Sequence, residues 1–248
     1  MTEGIPTNER GGEMKALILA AGKGSRISAD IEAVPKSTLC INNKPIIRST
    51  VECLLDLGME VAVCVGYKRQ KIYEALEGCP VEFFYNPFYS VTNNIASLWM
   101  AQQALDQEFM VVSADLIFHP SIPQRLMEMG QGIAFATDSS RVAEGDYFFH
   151  LNARGEIDEF GPNIPADRRD CENMGMLLVR EDHRELFVKR LNELVDNGRY
   201  DIYYEQIALS YIGEPDVHLR TVDMKGLLWR EIDYIEDYKK ALSQFEIR

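Results

Sequence analysis

The stretch Lys15-Ala-Leu-Ile-Leu-Ala-Ala-Gly-Lys-Gly-Ser-Arg26 decides the fold. Ala16 to Ala21 is an apolar run of strand length, and it breaks into a turn with two glycines and two cations. Gly22 and Gly24 permit a tight path and a close approach of bare backbone N–H groups to an anion, while Lys23 and Arg26 add fixed positive charge. A buried strand that opens into such a loop is the usual start of a nucleotide-binding α/β domain. The loop is neither the dinucleotide fingerprint G-x-G-x-x-G nor the Walker loop, because Gly22-x-Gly24 lacks both continuations.

Outward from this loop the chain alternates. Pro45 opens a helix with Ile47, Val51, Leu54 and Leu55 on one face and Gly58 as its stop. Val61 to Val65 is a second buried strand, a charged helix spans Lys68 to Glu77, and Val81 to Tyr85 is a third strand. Thr92 or Asn93 caps a helix that carries Ile95, Leu98, Trp99 and Leu105. Phe109 to Ser113 is a fourth strand and runs straight into Asp115, the place where open α/β sheets put ligand chemistry. Ile133 to Thr137 and Met174 to Val179 are further strands, and Asp182 to Asn197 is an amphipathic helix. The pattern predicts an α/β fold: a Rossmann-like mixed, mainly parallel sheet with helices on both faces. Tyr147 to Phe160, turning at Ala153-Arg-Gly155, predicts a small antiparallel hairpin inside an insertion-like region at about 139–172. Residues 161–170, rich in Pro, Asp and Arg, are expected to form a mobile loop. Residues 1–13 read as a disordered leader ahead of a single domain over 14–248.

A formal charge of −13 argues against a nucleic-acid partner or an acidic membrane surface, and no apolar run approaches membrane-spanning length. Any polyphosphate ligand therefore needs local cations and a divalent metal. The five cysteines are scattered, with no C-x-x-C, which fits buried thiols in a reducing cytoplasm rather than disulfides or zinc. A helix face or strand edge is available to pair two copies as a homodimer.

The opening loop, Pro35-Lys36, Asp115 behind its strand and Glu231-Ile-Asp233 ahead of a terminal helix form a set. Together they resemble the sugar-nucleotidyltransferase superfamily over nearly the whole chain from Met14. Asn93-Asn-Ile-Ala-Ser-Leu98 and Asp201-Ile-Tyr-Tyr-Glu205 are most similar to the bacterial CTP:phosphocholine cytidylyltransferases and their aminoethylphosphonate-using relatives. Sugar-specific members usually follow the arginine with Leu-x-Pro-Leu-Thr, whereas this chain has Ile27-Ser-Ala-Asp-Ile.

The resemblance implies attack by a phosphate or phosphonate oxygen on the α-phosphorus of CTP, with release of pyrophosphate. Two anions must meet, so the protein has to neutralise and align them, work suited to Mg²⁺. Asp115 and Asp233 are the implied metal ligands, both ending at one sheet edge; as a lone residue, Asp233 reads equally as a helix cap. Lys23 and Arg26 are implied on the β- and γ-phosphates, and Lys36 on the α-phosphate or on the acceptor phosphate. The nucleotide is expected along Leu19, Ala20, Ala21, Gly22, Gly24, Ser25 and Gly66, with Asn93, Asn94 and Ser97 at its base. A choline or aminoethyl head favours aromatic rings with carboxylates beside them. Asp146, Tyr147, Asp201, Tyr203, Tyr204 and Glu205 supply that material. The alternatives are a pyrophosphorylase acting on a sugar 1-phosphate and a catalytically silent nucleotide-binding relative.

Overall fold

Lys15–Ala20, the apolar run ahead of the glycines, forms strand β1 at the centre of the sheet. Its neighbours bury it on both faces, and Ala16, Leu17 and Ile18 have no exposed surface. A side chain of Leu or Ile hidden to that degree stabilises the fold by roughly 1.5–3 kcal/mol. The computed structural model describes residues 14–24, 34–143 and 145–245. The expected leader and the loop residues Ser25 and Arg26 lie outside the described residues.

Beyond the loop, a single 3₁₀ turn (Lys36–Thr38) leads into a small ribbon, β2 (Cys40–Ile41) and β3 (Lys44–Pro45). Helix α1 (Ile46–Asp56) follows Pro45 as the sequence predicts, burying Ile47, Val51 and Leu54. Next come β4 (Glu60–Val65), α2 (Arg69–Ala75) and β5 (Val81–Tyr85). Helix α3 (Asn94–Met100) starts at Asn93, whose side chain accepts from the Asn94 N–H. Then follow β6 (Phe109–Ser113), β7 (Leu116–Phe118), α4 (Ser121–Met127) and β8 (Ile133–Asp138). The predicted hairpin is β9 (Phe148–Leu151) and β10 (Ile157–Gly161). The chain closes through β11 (Cys171–Val179), α5 (Glu181–Asp196), α6 (Glu205–Leu209), β12 (Leu219–Asp223), β13 (Trp229–Glu231) and α7 (Ile235–Gln244).

Among the described residues, nine strands make one mixed sheet with β1 parallel to β4 and β6, and β4 parallel to β5. β11 runs antiparallel to β6 and continues the sheet to β8 and to the hairpin. The alternation of β1 sorts the core into two layers. Ala16 and Ile18 face α1, α2 and α4, while Leu17 faces α3, α5 and α6. A third cluster, with Leu39, Ile41, Ile46, Ile232 and Ala241, packs α7 onto the β2–β3 ribbon. These placements match the predicted mixed sheet with helices on both faces.

The stretch at 161–170 differs from expectation. Ile164 is buried, and the Arg169 guanidinium lies 4.0 Å from the centre of the Phe148 ring and donates to the Ile164 carbonyl at 2.7 Å. An apolar anchor and a stacked arginine pin this segment against the hairpin, despite its polar composition.

Candidate active site

The glycine loop lies at the carboxyl end of β1, with Lys36 above it. Gly24 takes φ +62°, and a Cβ there would meet Lys36 Cγ at 2.6 Å, so the glycine makes room for the lysine stem. Lys36 is buried, and its ammonium reaches two acids: it ion-pairs with Asp233 and lies 3.6 Å from Asp115 Oδ2. A cleft of about 380 Å³ opens beside the loop, lined by Leu19, Ala21, Gly22, Gly24, Lys36 and Asp115 among others. Ala20 lines the narrower recess between the loop and Pro35. Lys23 stands exposed at the loop.

A second pair of strands carries the acids. β13 runs antiparallel to β7, and the Ile232 N–H donates to the Asp115 carbonyl at 3.0 Å. Asp233 therefore reaches Asp115 through a two-stranded ribbon, a correction to the single sheet edge expected from the sequence. The ribbon also delivers Glu231, which alternation puts on the same face as Asp233. Carboxylate oxygens of Asp115, Glu231 and Asp233 all lie within 4.8 Å of one another. Burial raises the Glu231 pKa well above the usual carboxylate range, with Asp115 and Asp233 adding repulsion. Asp115 is raised as well, first by burial, against the pull of Lys36. Three crowded carboxylates with one lysine form an all-oxygen donor set with surplus negative charge, which fits a hard divalent cation such as Mg²⁺.

Across the acids lies a second cleft of about 410 Å³. It shares Asn94, Ser113, Tyr203, Glu231 and Asp233 with the first, so the carboxylates sit where the two chambers meet. Its far side is acidic and aromatic, with Asp146, Tyr147, Phe160, Glu172, Tyr203 and Glu205. Tyr147 stacks on Phe160 at 6.5 Å and meets Tyr203 edge-on at 6.3 Å. Burial pushes the Glu172 and Glu205 carboxyls each up to about 7. β11 passes this cleft with a break in register, and Gly175 at φ +75° lets it press against Ser113, where a Cβ would meet Oγ at 2.9 Å.

Asn93, Asn94 and Ser97 line the loop cleft and also brace its walls, whereas Gly66, Asp201 and Tyr204 take other places. Gly66 is buried against Ala21, whose carbonyl accepts from the Tyr67 N–H at 3.0 Å, so it sets the loop's position from behind. Asn93 Nδ2 donates to the Asp201 carbonyl at 3.3 Å, and Asn94 Oδ1 accepts from the Tyr204 N–H at 2.7 Å. The asparagine pair thus joins α3 to the segment carrying Tyr203, while Ser97 Oγ accepts from Asn86 at 3.0 Å. Asp201 points outward, 3.7 Å from Arg199. Tyr204 is fully buried in the core and offers no ring face to a ligand. Glu231, Glu172 and Phe160 were missed. The period-2 spacing of Glu231 with Asp233 was a readable signal, whereas only the fold brings Glu172 to the cleft.

Residues 16–197 match the family described as the MobA-like NTP transferase domain. CMP-5'-(3-aminopropyl)phosphonate synthase of Streptomyces rubellomurinus is 26% identical over 94% of this chain, and this chain spans 39% of that relative's length. Choline-phosphate cytidylyltransferase of Streptococcus pneumoniae is 24% identical, covering 92% of this chain and 96% of the relative. The solved structure of CTP:phosphocholine cytidylyltransferase from the same organism superposes with a TM-score of 0.74 at 22% identity, covering 94% of this chain and all of the other, a likeness of fold.

Proposed function

Because the chain belongs to the MobA-like NTP transferase family, we propose that it moves the cytidylyl group of CTP onto a small phosphate or phosphonate bearing a cationic head. The observation that carries this reading is the meeting of two chambers over the acids, one against the glycine loop and one acidic and aromatic. The names of the two relatives, a CMP-aminopropylphosphonate synthase and a choline-phosphate cytidylyltransferase, support the nucleotide and the acceptor class.

In this reading the loop N–H groups, with Lys23 and Arg26, hold the β- and γ-phosphates. An acceptor P–O⁻ oxygen attacks the α-phosphorus from the acidic chamber; the new P–O–P bond forms as the α–β bridge breaks, and pyrophosphate leaves with the electron pair. The acceptor oxygen is already ionised, so no general base is required. Lys36 stabilises charge at the α-phosphate or grips the acceptor phosphate, at the boundary where both anions arrive. Asp115, Glu231 and Asp233 would hold Mg²⁺, which when bound neutralises phosphate oxygens and draws electron density from the α-phosphorus. Among the described residues no helix is long and apolar enough to cross a membrane, and a cytoplasmic setting belongs to the proposal.

A pyrophosphate-release matrix tests it: four nucleoside triphosphates against phosphocholine, phosphoethanolamine, 2-aminoethylphosphonate and glucose 1-phosphate, with Mg²⁺. The expected outcome is turnover with CTP and the amine-bearing acceptors. Turnover confined to glucose 1-phosphate would replace this reading by the sugar pyrophosphorylase.

A further inference from the structure

Resting on the reading that the three acids hold a divalent cation, we propose that Lys36 and this cation compete for Asp115 and Asp233, so that cation entry releases the lysine toward the phosphates. Lys36 is 8% exposed, and its ammonium engages two of the three acids, Asp233 as an ion pair and Asp115 Oδ2 at 3.6 Å. Oxygens of these two acids and of Glu231 lie within 4.8 Å of one another. Mg²⁺ takes oxygen ligands at about 2.0–2.1 Å. An ion shared by Asp115 and Asp233 therefore sits within a few ångströms of the lysine nitrogen.

At that range an ammonium and a divalent ion repel each other, and both draw on the lone pairs of the same two carboxylates. The lysine is the partner that can leave, because its charge is a compact point on a flexible four-carbon stem. That stem lies over Gly24, where a Cβ would meet Cγ at 2.6 Å and Cδ and Cε at 3.1 Å, so the glycine leaves it room to turn. The backbone beneath is held. Pro35 precedes the lysine, and the Lys36 carbonyl accepts from the Leu39 N–H at 3.0 Å. Rotation about the side-chain bonds alone thus carries the ammonium from the acids to the loop cleft, which Lys36 also lines. Buried carboxylates this close repel one another. The ammonium offsets that repulsion until the ion takes over, and the released lysine is then delivered to the incoming phosphates.

The test is calorimetric titration of Mn²⁺, without nucleotide or acceptor, onto the wild type, Lys36→Met and Lys36→Arg at one pH and ionic strength. Lys36→Met is expected to bind Mn²⁺ at least about tenfold more tightly than the wild type, as a competing charge is removed. Lys36→Arg keeps the charge and is expected to stay within about threefold of the wild type. Equal or weaker binding by Lys36→Met overturns the proposal while the cation reading stands. Absence of binding in all three proteins ends both. A second measurement needs only the wild type, and decides the matter should Lys36→Met fail to fold. Acetylation by acetic anhydride, followed lysine by lysine in the mass spectrometer, reports how free each ammonium is. Saturating Mn²⁺ is expected to speed labelling of Lys36 at least about fivefold, while Lys44 and Lys71, which pair with Glu52 and Glu74 on the surface, keep their rates. Labelling of Lys36 that is unchanged or slowed overturns the proposal.

Discussion

Gly24 and Lys36 show how much one position controls at the residue scale. A side chain at Gly24 meets two obstacles, the positive φ and the lysine stem 2.6 Å from its Cβ. Gly24→Ala is expected to lose roughly 1–2 kcal/mol from backbone conformation. Its larger effect is on turnover, because Lys36 must move from the acids; thermal unfolding and pyrophosphate release measure the two separately. The acids themselves give a second prediction. Asp233→Asn and Glu231→Gln should each lower kcat/KM by about 10²–10³-fold, the cost of losing one preorganised electrostatic group. Near-normal rates in Glu231→Gln, the residue that sequence reading left without a role, would take it out of the metal set.

At the scale of elements, the ribbon of β7 and β13 matters more than its six residues suggest. Trp229 anchors it: the ring is buried, Nε1 donates to Asp138 Oδ2 at 2.8 Å, and Arg141 stacks on it. Trp229→Phe should therefore destabilise the protein by about 1–2 kcal/mol, since it leaves a buried carboxylate oxygen without its donor. It should also weaken Mn²⁺ binding, because the same strand carries Glu231; urea unfolding and metal titration check the two effects. This ribbon marks where the sequence stopped being legible. Buried strands such as Val61 to Val65 and Phe109 to Ser113 were readable because each is a local apolar run bounded by polar residues. The pairing of Leu116–Phe118 with Trp229–Glu231 joins short segments over a hundred residues apart, and no local period encodes it. The same limit explains the misplaced expectations for Tyr204 and Asp201. Two aromatic residues in a row cannot both face a cleft from one turn, and in the fold Tyr203 faces out while Tyr204 enters the core.

For the whole molecule, the buried acids set the dependence of stability on pH. Glu172 and Glu205 are raised to about 7 from an ordinary value near 4.5, so the folded state binds more protons than the unfolded chain between those values. Their stabilising contribution is complete at low pH and is lost as pH rises through 7. Asp106, Asp182 and Asp223 are lowered instead, by Lys15, by the Gly132 N–H and by Ser139 against the cost of burial, and their contribution is already gained below that window. The melting temperature of the free protein should fall from about pH 5 to about pH 8, and Glu205→Gln should flatten that slope. Scanning calorimetry at constant ionic strength measures it, and an unchanged slope in the variant would assign the effect to other groups. The order of elements along the chain has one more effect, on synthesis. β12, the last strand of the main sheet, ends at Asp223, whereas Glu231 and Asp233 follow it. A chain emerging from the ribosome can assemble the main sheet, with Asp115 just beyond β6, before the other two proposed cation ligands arrive. In the proposed mechanism a copy in which β13 has not yet paired with β7 is therefore unable to consume nucleotide.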